Sequence, residues 1–206
     1  MRGITAFVIG NGCGSARPPT PRGSLVMSAD ALTIRPATPA DSTGLDELLA
    51  ASYATLLAGH YDAETLSRAL APMSRANPRL IDSGTYYVAE ICGTATEASA
   101  AQPAARLVAC GGWTAEQPGT GTAAPGEAHI RHFATRPDWI GRGVGTRLLA
   151  HCINEAAALG RTTLTCFSTL NAAPFYRRSG FVTLGPLDVT LTPGVIFPAI
   201  LMRRTG

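Results

Sequence analysis

The chain has 206 residues, enough for one domain with a core that can hold a ligand cleft, and carries a formal net charge of +3. That charge comes from scattered arginines with no basic block, which speaks against the arm of a nucleic-acid binder. Five cysteines, odd in number and lacking CxxC spacing or histidine partners, disfavour a disulfide framework or zinc site, and no apolar run approaches the ~18 residues needed to span a bilayer.

These features predict a cytoplasmic protein with reduced thiols, no metal, and neither nucleic acid nor membrane as partner. Residues 1–26 are poor in pattern and rich in glycine and proline (Gly10-Asn11-Gly12, Pro18-Pro19, Pro21). The apolar segment 4–9 is shorter than a signal-peptide core, usually ~7–15 residues. A second methionine, Met27, precedes the first strand-like segment, 31–35. Residues 1–27 are therefore expected to be a disordered extension, with an upstream start codon as one origin, and residues 28–206 a single domain.

Leu32-Thr33-Ile34-Arg35 alternates and then meets Pro36, the pattern of a short strand. Asp41 reads as the cap of a helix carrying Leu45, Leu48, Leu49 and Tyr53 at helical spacing. A second helix covers about 62–71, capped by Asp62, with Leu66 and Leu70 four residues apart. Strands follow at 85–91 and 106–113, joined by an Ala/Ser/Thr-rich loop over 93–105. Another loop, 114–126, leads to a fourth strand at 128–135. A glycine-rich turn then enters a helix over about 144–159, with Leu148, Leu149, Cys152, Ile153 and Ala156 on one face and Gly160 at its end. A fifth strand at 162–167, a short helix near 172–179, and strands at 181–184 and about 195–202 complete the chain. This order, β-α-α-β-β-β-α-β-α-β-β, is buried comfortably only as an α/β (α+β) mixed sheet with helices on both faces.

The turn Ile140-Gly141-Arg142-Gly143-Val144-Gly145-Thr146 carries the chemistry. Glycines let backbone N–H groups approach a ligand, and a helix start offers unpaired N–H groups and a positive dipole end, together an anion site suited to phosphate. A P-loop needs a lysine after its last glycine, and none follows here. A dinucleotide turn needs Gly-x-Gly-x-x-Gly and an acidic residue ~20 positions on. This turn is Gly-x-Gly-x-Gly, and residues 160–165 contain no carboxylate.

From Phe133 onward, Phe-Ala-Thr-Arg-Pro-Asp-Trp-Ile-Gly-Arg-Gly-Val-Gly-Thr-Arg-Leu-Leu resembles the acyl-CoA signature of the GNAT superfamily of N-acetyltransferases. Asn171-Ala172-Ala173-Pro174-Phe175-Tyr176-Arg177-Arg178-Ser179-Gly180-Phe181 resembles the family's later Asn-x-x-Ala-x-x-Phe-Tyr-x-x-x-Gly-Phe block, with Pro174 at the usual Ala. One helix and one strand separate the blocks, as in the family. The resemblance covers about residues 32–203 and is sharp from 133 to 181. It implies a predominantly antiparallel sheet splayed between the fourth and fifth strands, with the pantetheine arm of acetyl-CoA lying in the splay. The backbone of Phe133, Ala134 and Thr135 would pair with that arm. Residues Ile140, Gly141, Arg142, Gly143, Val144, Gly145 and Thr146 would hold the pyrophosphate, and Asn171, Pro174 and Tyr176 would meet the donor across the splay. The family usually has Gln or Arg where this chain has Ile140, so binding is expected through backbone N–H groups, with Arg142 partly replacing the lost side chain.

The resemblance further implies acetyl transfer from acetyl-CoA to a primary amine, foremost that of a small molecule, by direct attack. Tyr176 stands at the family's tyrosine general acid, which protonates the leaving thiolate. Strand alternation puts Glu127, His129 and Arg131 on one face and His132 on the other. His129 falls where several family members carry a glutamate base, with Glu127 the second candidate and His132 the third. His60, Tyr61 and Trp113 are the expected acceptor contacts. Two alternatives stay open: a protein acetyltransferase acting on Nα-amines or lysines, and a non-catalytic acyl-CoA-binding module. The apolar run 195–201 could supply a homodimer face or a buried core strand.

Overall fold

In the computed structural model, residues 32–91 and 105–206 are described. The expected extension over 1–27 and most of the expected 93–105 loop lie outside them. Among the described residues, seven strands form one sheet: β1 (Leu32–Pro36), β2 (Tyr86–Ile91), β3 (Arg106–Thr114), β4 (Glu127–Thr135), β5 (Thr163–Ser168), β6 (Val182–Thr192) and β7 (Val195–Thr205). Their order is β1-β2-β3-β4-β5-β7-β6. All neighbours run antiparallel except β4 and β5. That parallel pair matches Glu127 with Thr163, Ala128 with Leu164 and His129 with Thr165, and goes no further. The sheet is splayed beyond it.

Helices cover both faces because the strands are apolar on both. Against one face lie α1 (Ser42–Leu56), α2 (Ala63–Met73) and α3 (Pro78–Asp82), over a core that includes Leu45, Leu48, Leu49, Val88, Cys110 and Phe197. Against the other lie α4 (Val144–Ala158) and α5 (Ala173–Arg178), over Val108, Trp113, Ile130, Leu164 and Met202. Leu148, Leu149, Cys152 and Ala156 of α4, read from the sequence as one helix face, are all fully buried. Burying each leucine contributes about 1.5–3 kcal/mol. Cys110, Cys152 and Cys166 are free and buried. Burial pushes the Cys110 and Cys166 thiols up to about 12.

The structure departs from the expected elements in three places. The short α3 was not anticipated, although Asn77 accepts a hydrogen bond from the Arg79 amide at 3.0 Å and Pro78 sits at the first turn, both helix-start signals. At five residues it is too short to show a period. Strand β6 runs to Thr192 rather than stopping near residue 184 at Gly185-Pro186. Among the described residues it is an edge strand, and on an outward side a missing proline N–H costs no ladder bond.

Asp41, third, does not cap α1 with its side chain. Its carboxylate accepts two hydrogen bonds from the Arg35 guanidinium, each 2.8 Å, and two more from the Thr38 amide and hydroxyl at 2.7 and 2.8 Å. Arg35 also donates to Glu90 at 2.9 and 3.1 Å, so β1, the turn before α1 and β2 are tied through one guanidinium. Asp62, by contrast, caps α2 as expected, accepting from the Thr65 amide at 2.8 Å.

Arg35 holds the Asp41 carboxyl down at about 2, below its ordinary 3.8. A depressed carboxyl stabilises the fold above its unfolded-state value and loses that contribution as the pH falls through its folded value. Asp41→Asn should therefore cost about 1–2 kcal/mol at pH 7, allowing for the partial exposure of Arg35. The gap between variant and wild type should close as the pH drops from 3.8 towards about 2. Urea denaturation across that range measures it, and a gap that does not change with pH would assign the loss elsewhere.

Candidate active site

Strand β4 is not a regular ladder. It pairs with β3 at His129–Thr114, Ile130–Trp113 and Arg131–Gly112, and again at Ala134–Cys110 and Thr135–Ala109. Between these, Gly111 alone faces both His132 and Phe133, which makes a β-bulge. His132 has φ of 52°, and no other non-glycine residue among those described has a positive φ. A Cβ on Gly111 would run into the Phe133 ring, so the bulge needs glycine opposite it.

The bulge overturns the expected alternation. Ala128 and Ile130 belong to the core under α4, so His129 faces α1 and α2. His132 faces the same way, its ring 6.0 Å from Tyr53 and 6.4 Å from Tyr86 between centroids. The added residue absorbs the half-turn that would have sent His132 to the opposite side.

Beyond the bulge the splay opens a cleft of about 500 Å³. Phe133, Ala134 and Thr135 form its β4 wall, and Ile140, Gly141, Gly143, Val144, Gly145 and Thr146 its end. Asn171, Pro174, Phe175, Tyr176 and Arg178 stand opposite, and Ser52, Tyr53, Leu56 and Leu57 reach in from α1. The glycines of the turn act in two ways. Gly141 and Gly143 have φ of 78° and 77°, the left-handed region that a side chain disfavours. Gly145 is needed for room, since a Cβ there would lie 3.3 Å from the Thr135 hydroxyl and 3.6 Å from the Phe175 ring. Helix bonding begins with the Arg147 amide donating to Gly143 at 3.0 Å. The amides of Val144, Gly145 and Thr146 are thus left without helical partners at the positive end of a fifteen-residue helix.

Arg142 does not line this cleft. Its guanidinium carbon lies 4.6 Å from the Trp139 ring centre, a cation–π contact, so the turn depends on its backbone. Among the described residues, Arg178 is the charged side chain on the cleft wall.

Tyr176 lines the cleft and is 6% exposed, with the rings of Phe175, Phe181 and Phe133 at 5.0, 5.4 and 6.5 Å. Burial raises its pKa well above 10, so it is a neutral phenol able to donate a proton or hydrogen bond. Tyr53 faces the same cleft from α1, and burial raises its pKa too. Its place at the cleft was missed from sequence, because the spacing that marks it is that of an ordinary buried helix face.

None of the three candidate bases, His129, Glu127 and His132, is on the cleft wall. His129 is 6% exposed, with its Nδ1 buried and unpartnered, and directly across the β4–β5 pair the Thr165 hydroxyl is buried and unpartnered as well. Burial lowers the His129 pKa below the ordinary 6.5. Glu127 is half-buried at the start of β4, where its carbonyl accepts from Arg161 at 2.7 Å. The expected acceptor residues also lie off the wall. Trp113 is buried in the core under α4, the face away from α1 and α2, so it cannot contact an acceptor there. His60 is exposed. Tyr61 stacks on Phe197 at 4.5 Å, donates to the Pro198 carbonyl at 3.1 Å and accepts from the Leu170 amide at 2.8 Å. It therefore ties the α1–α2 loop to β7 and to the segment after β5.

Among the described residues, no cluster of three or more His, Cys, Asp or Glu could hold a metal ion, and no helix is long and apolar enough to cross a membrane. Several solved structures share the fold. A GCN5-related N-acetyltransferase from Rhodopseudomonas palustris is 22% identical with a TM-score of 0.65, covering 89% of this chain and 100% of that one. The PaiA N-acetyltransferase of Thermoplasma acidophilum, solved with coenzyme A, is 14% identical with a TM-score of 0.59, covering 85% and 99%. N-acetylglutamate synthase from Neisseria gonorrhoeae, complexed with coenzyme A and L-arginine, is 21% identical with a TM-score of 0.52, covering 85% of this chain and 33% of that one. No curated protein matches the sequence. Residues 82–183 match the family model described as an acetyltransferase (GNAT) domain. Since that segment runs from the end of α3 into β6 and takes in every cleft element except α1, the chain belongs to the GNAT family and is an acyltransferase enzyme.

Proposed function

We propose that this protein transfers an acetyl group from acetyl-CoA to the primary amine of a small molecule, with Tyr176 as general acid. One observation carries the reading. A single cleft has free helix-start amides at one end and a buried, neutral phenol on its wall. The amides suit a pyrophosphate. Residues 130–135 of β4 have no β5 partner, so their backbone can pair with the pantetheine amides as a strand edge does. The neutral amine attacks the thioester carbonyl carbon, the C–S bond breaks, and the thiolate takes its proton from Tyr176.

The amine's own proton leaves by another route, because among the described residues the cleft wall carries no carboxylate or imidazole. His129 is the base in this reading, reached through water, with Glu127 as the alternative. Burial keeps His129 neutral at pH 7, and its unpartnered Nδ1 is free to accept. The small-molecule acceptor is supported by Tyr61, which ties the α1–α2 loop to Leu170, between the cleft residues Thr169 and Asn171.

Tyr176→Phe should lower kcat about tenfold or more with little change in the KM for acetyl-CoA. Thiol release with a panel of amines measures this, and undiminished turnover would remove Tyr176 from the acid role. In the same assay, reaction with peptide N-termini or lysines but with no small amine would move the reading to protein acetylation. The chain itself contains no lysine, so self-acetylation at lysine cannot obscure the result.

A base works when deprotonated, so kcat/KM should rise with pH along a limb centred below 6.5, the direction of the His129 shift. His129→Gln should abolish that limb, whereas Glu127→Gln should keep it. Persistence of the limb without His129 would transfer the role. Gly145→Val would push a side chain against Thr135 and Phe175 and should weaken CoA binding about tenfold, read by calorimetry.

A further inference from the structure

We infer that His132 is a positioning residue, whose imidazole pins the β4 bulge to the C-terminal end of α2 and thereby sets the cleft-lining backbone of residues 133–135. The inference rests on the acetyl-CoA reading above, since that backbone is what the thioester arm would meet.

A non-glycine residue at φ of 52° is sterically disfavoured and persists only where its surroundings over-determine it. Here they do so from three directions. The imidazole Nε2 lies 2.9 Å from the carbonyl oxygen of Met73, the last residue of α2. A carbonyl only accepts, so Nε2 carries the hydrogen and donates. That carbonyl is one of those a helix end leaves without a backbone partner. The Tyr86 hydroxyl donates to the His132 carbonyl at 3.2 Å, and the Cys110 thiol approaches the same oxygen at 3.9 Å. Finally, the ring is flanked by Tyr53 and Tyr86. Tyr53 also lines the cleft, so the α1 wall and the β4 wall bear on one buttress.

The register makes this buttress consequential. With the bulge, residues up to Arg131 and residues from Ala134 onward both pair with β3. Without it, one of the two halves must slip by a residue, and a one-residue slip turns every side chain and backbone group to the other side. If the slip fell on the C-terminal half, Phe133, Ala134 and Thr135 would leave their places on the wall. A displacement of about 1 Å at a reacting centre costs on the order of 10²-fold in rate. No catalytic contact by the imidazole itself is required.

His132→Gly tests the pin, because glycine tolerates the positive φ while the buttress is lost. The expected result is a fall in kcat of about tenfold or more with the KM for acetyl-CoA changed less than about threefold. Added imidazole should restore part of kcat by refilling the site beside Met73. Hydrogen exchange should show the amides of residues 133–135 exchanging faster than in wild type, with those of β2 unchanged. If His132→Gly does not fold, Tyr86→Phe removes one bond to the bulge carbonyl and should give the same split with a smaller fall. Wild-type kcat in the variant that folds overturns the inference. So does a loss that imidazole does not restore and that raises KM in parallel. A wild-type protein that neither binds CoA nor releases thiol from acetyl-CoA counts instead against the acetyltransferase reading, and the exchange comparison still decides the pin.

Discussion

Everything that makes this fold useful follows from the place where β4 and β5 part. Three residue pairs hold them in parallel, and then β5 continues against β7 while β4 turns away through its bulge. Backbone N–H and C=O groups on the parted edges need partners, because an unpaired buried polar group costs about as much as a lost hydrogen bond. In the proposed function, an extended ligand with amides of its own meets that need. The cleft is thus less a hole in a core than an interrupted ladder awaiting a strand.

The elements around the gap hold it open from both sides of the sheet. Under α4 the glycines bring the helix start close to Thr135 and Phe175, and the ring cluster of Phe133, Phe175 and Phe181 encloses Tyr176. Over the other face α1 presents Tyr53, while the α1–α2 loop is anchored through Tyr61 to β7 and to the segment after β5. Further from the site, Arg35 binds β1, the approach to α1 and β2 into one ion cluster, which steadies the helix bearing Tyr53. Among the described residues the wall is nearly free of charge, a setting in which a tyrosine stays protonated.

The glycine turn and the Asn171–Phe181 block were legible because their signals are local. A positive φ, a helix start and a proline at the first turn depend on a few neighbouring residues. The same locality made the face of α4 readable from Leu148, Leu149, Cys152 and Ala156. Strand limits were less legible where they rested on pairing: Gly185-Pro186 looks like a break until β6 is known to be an edge. Trp113 is an expected acceptor contact from the sequence, yet no rule of composition says which face of β3 it occupies. Arg142 looked like a stand-in for the side chain missing at Ile140 because Trp139, which claims it, is a neighbour only through the turn's geometry.

By itself the sequence determined the order of most elements, the glycine turn at the helix start and the family block, since these rest on backbone preferences that act over a few residues. Only the tertiary structure decided which side chains meet. The side taken by His132, the burial of Trp113 and the Tyr61 tie to Leu170 and Pro198 all depend on contacts between residues far apart in the chain. One added residue in β4 changes the alternation of that strand, and what stabilises the addition is its packing against Gly111, Tyr86 and the end of α2.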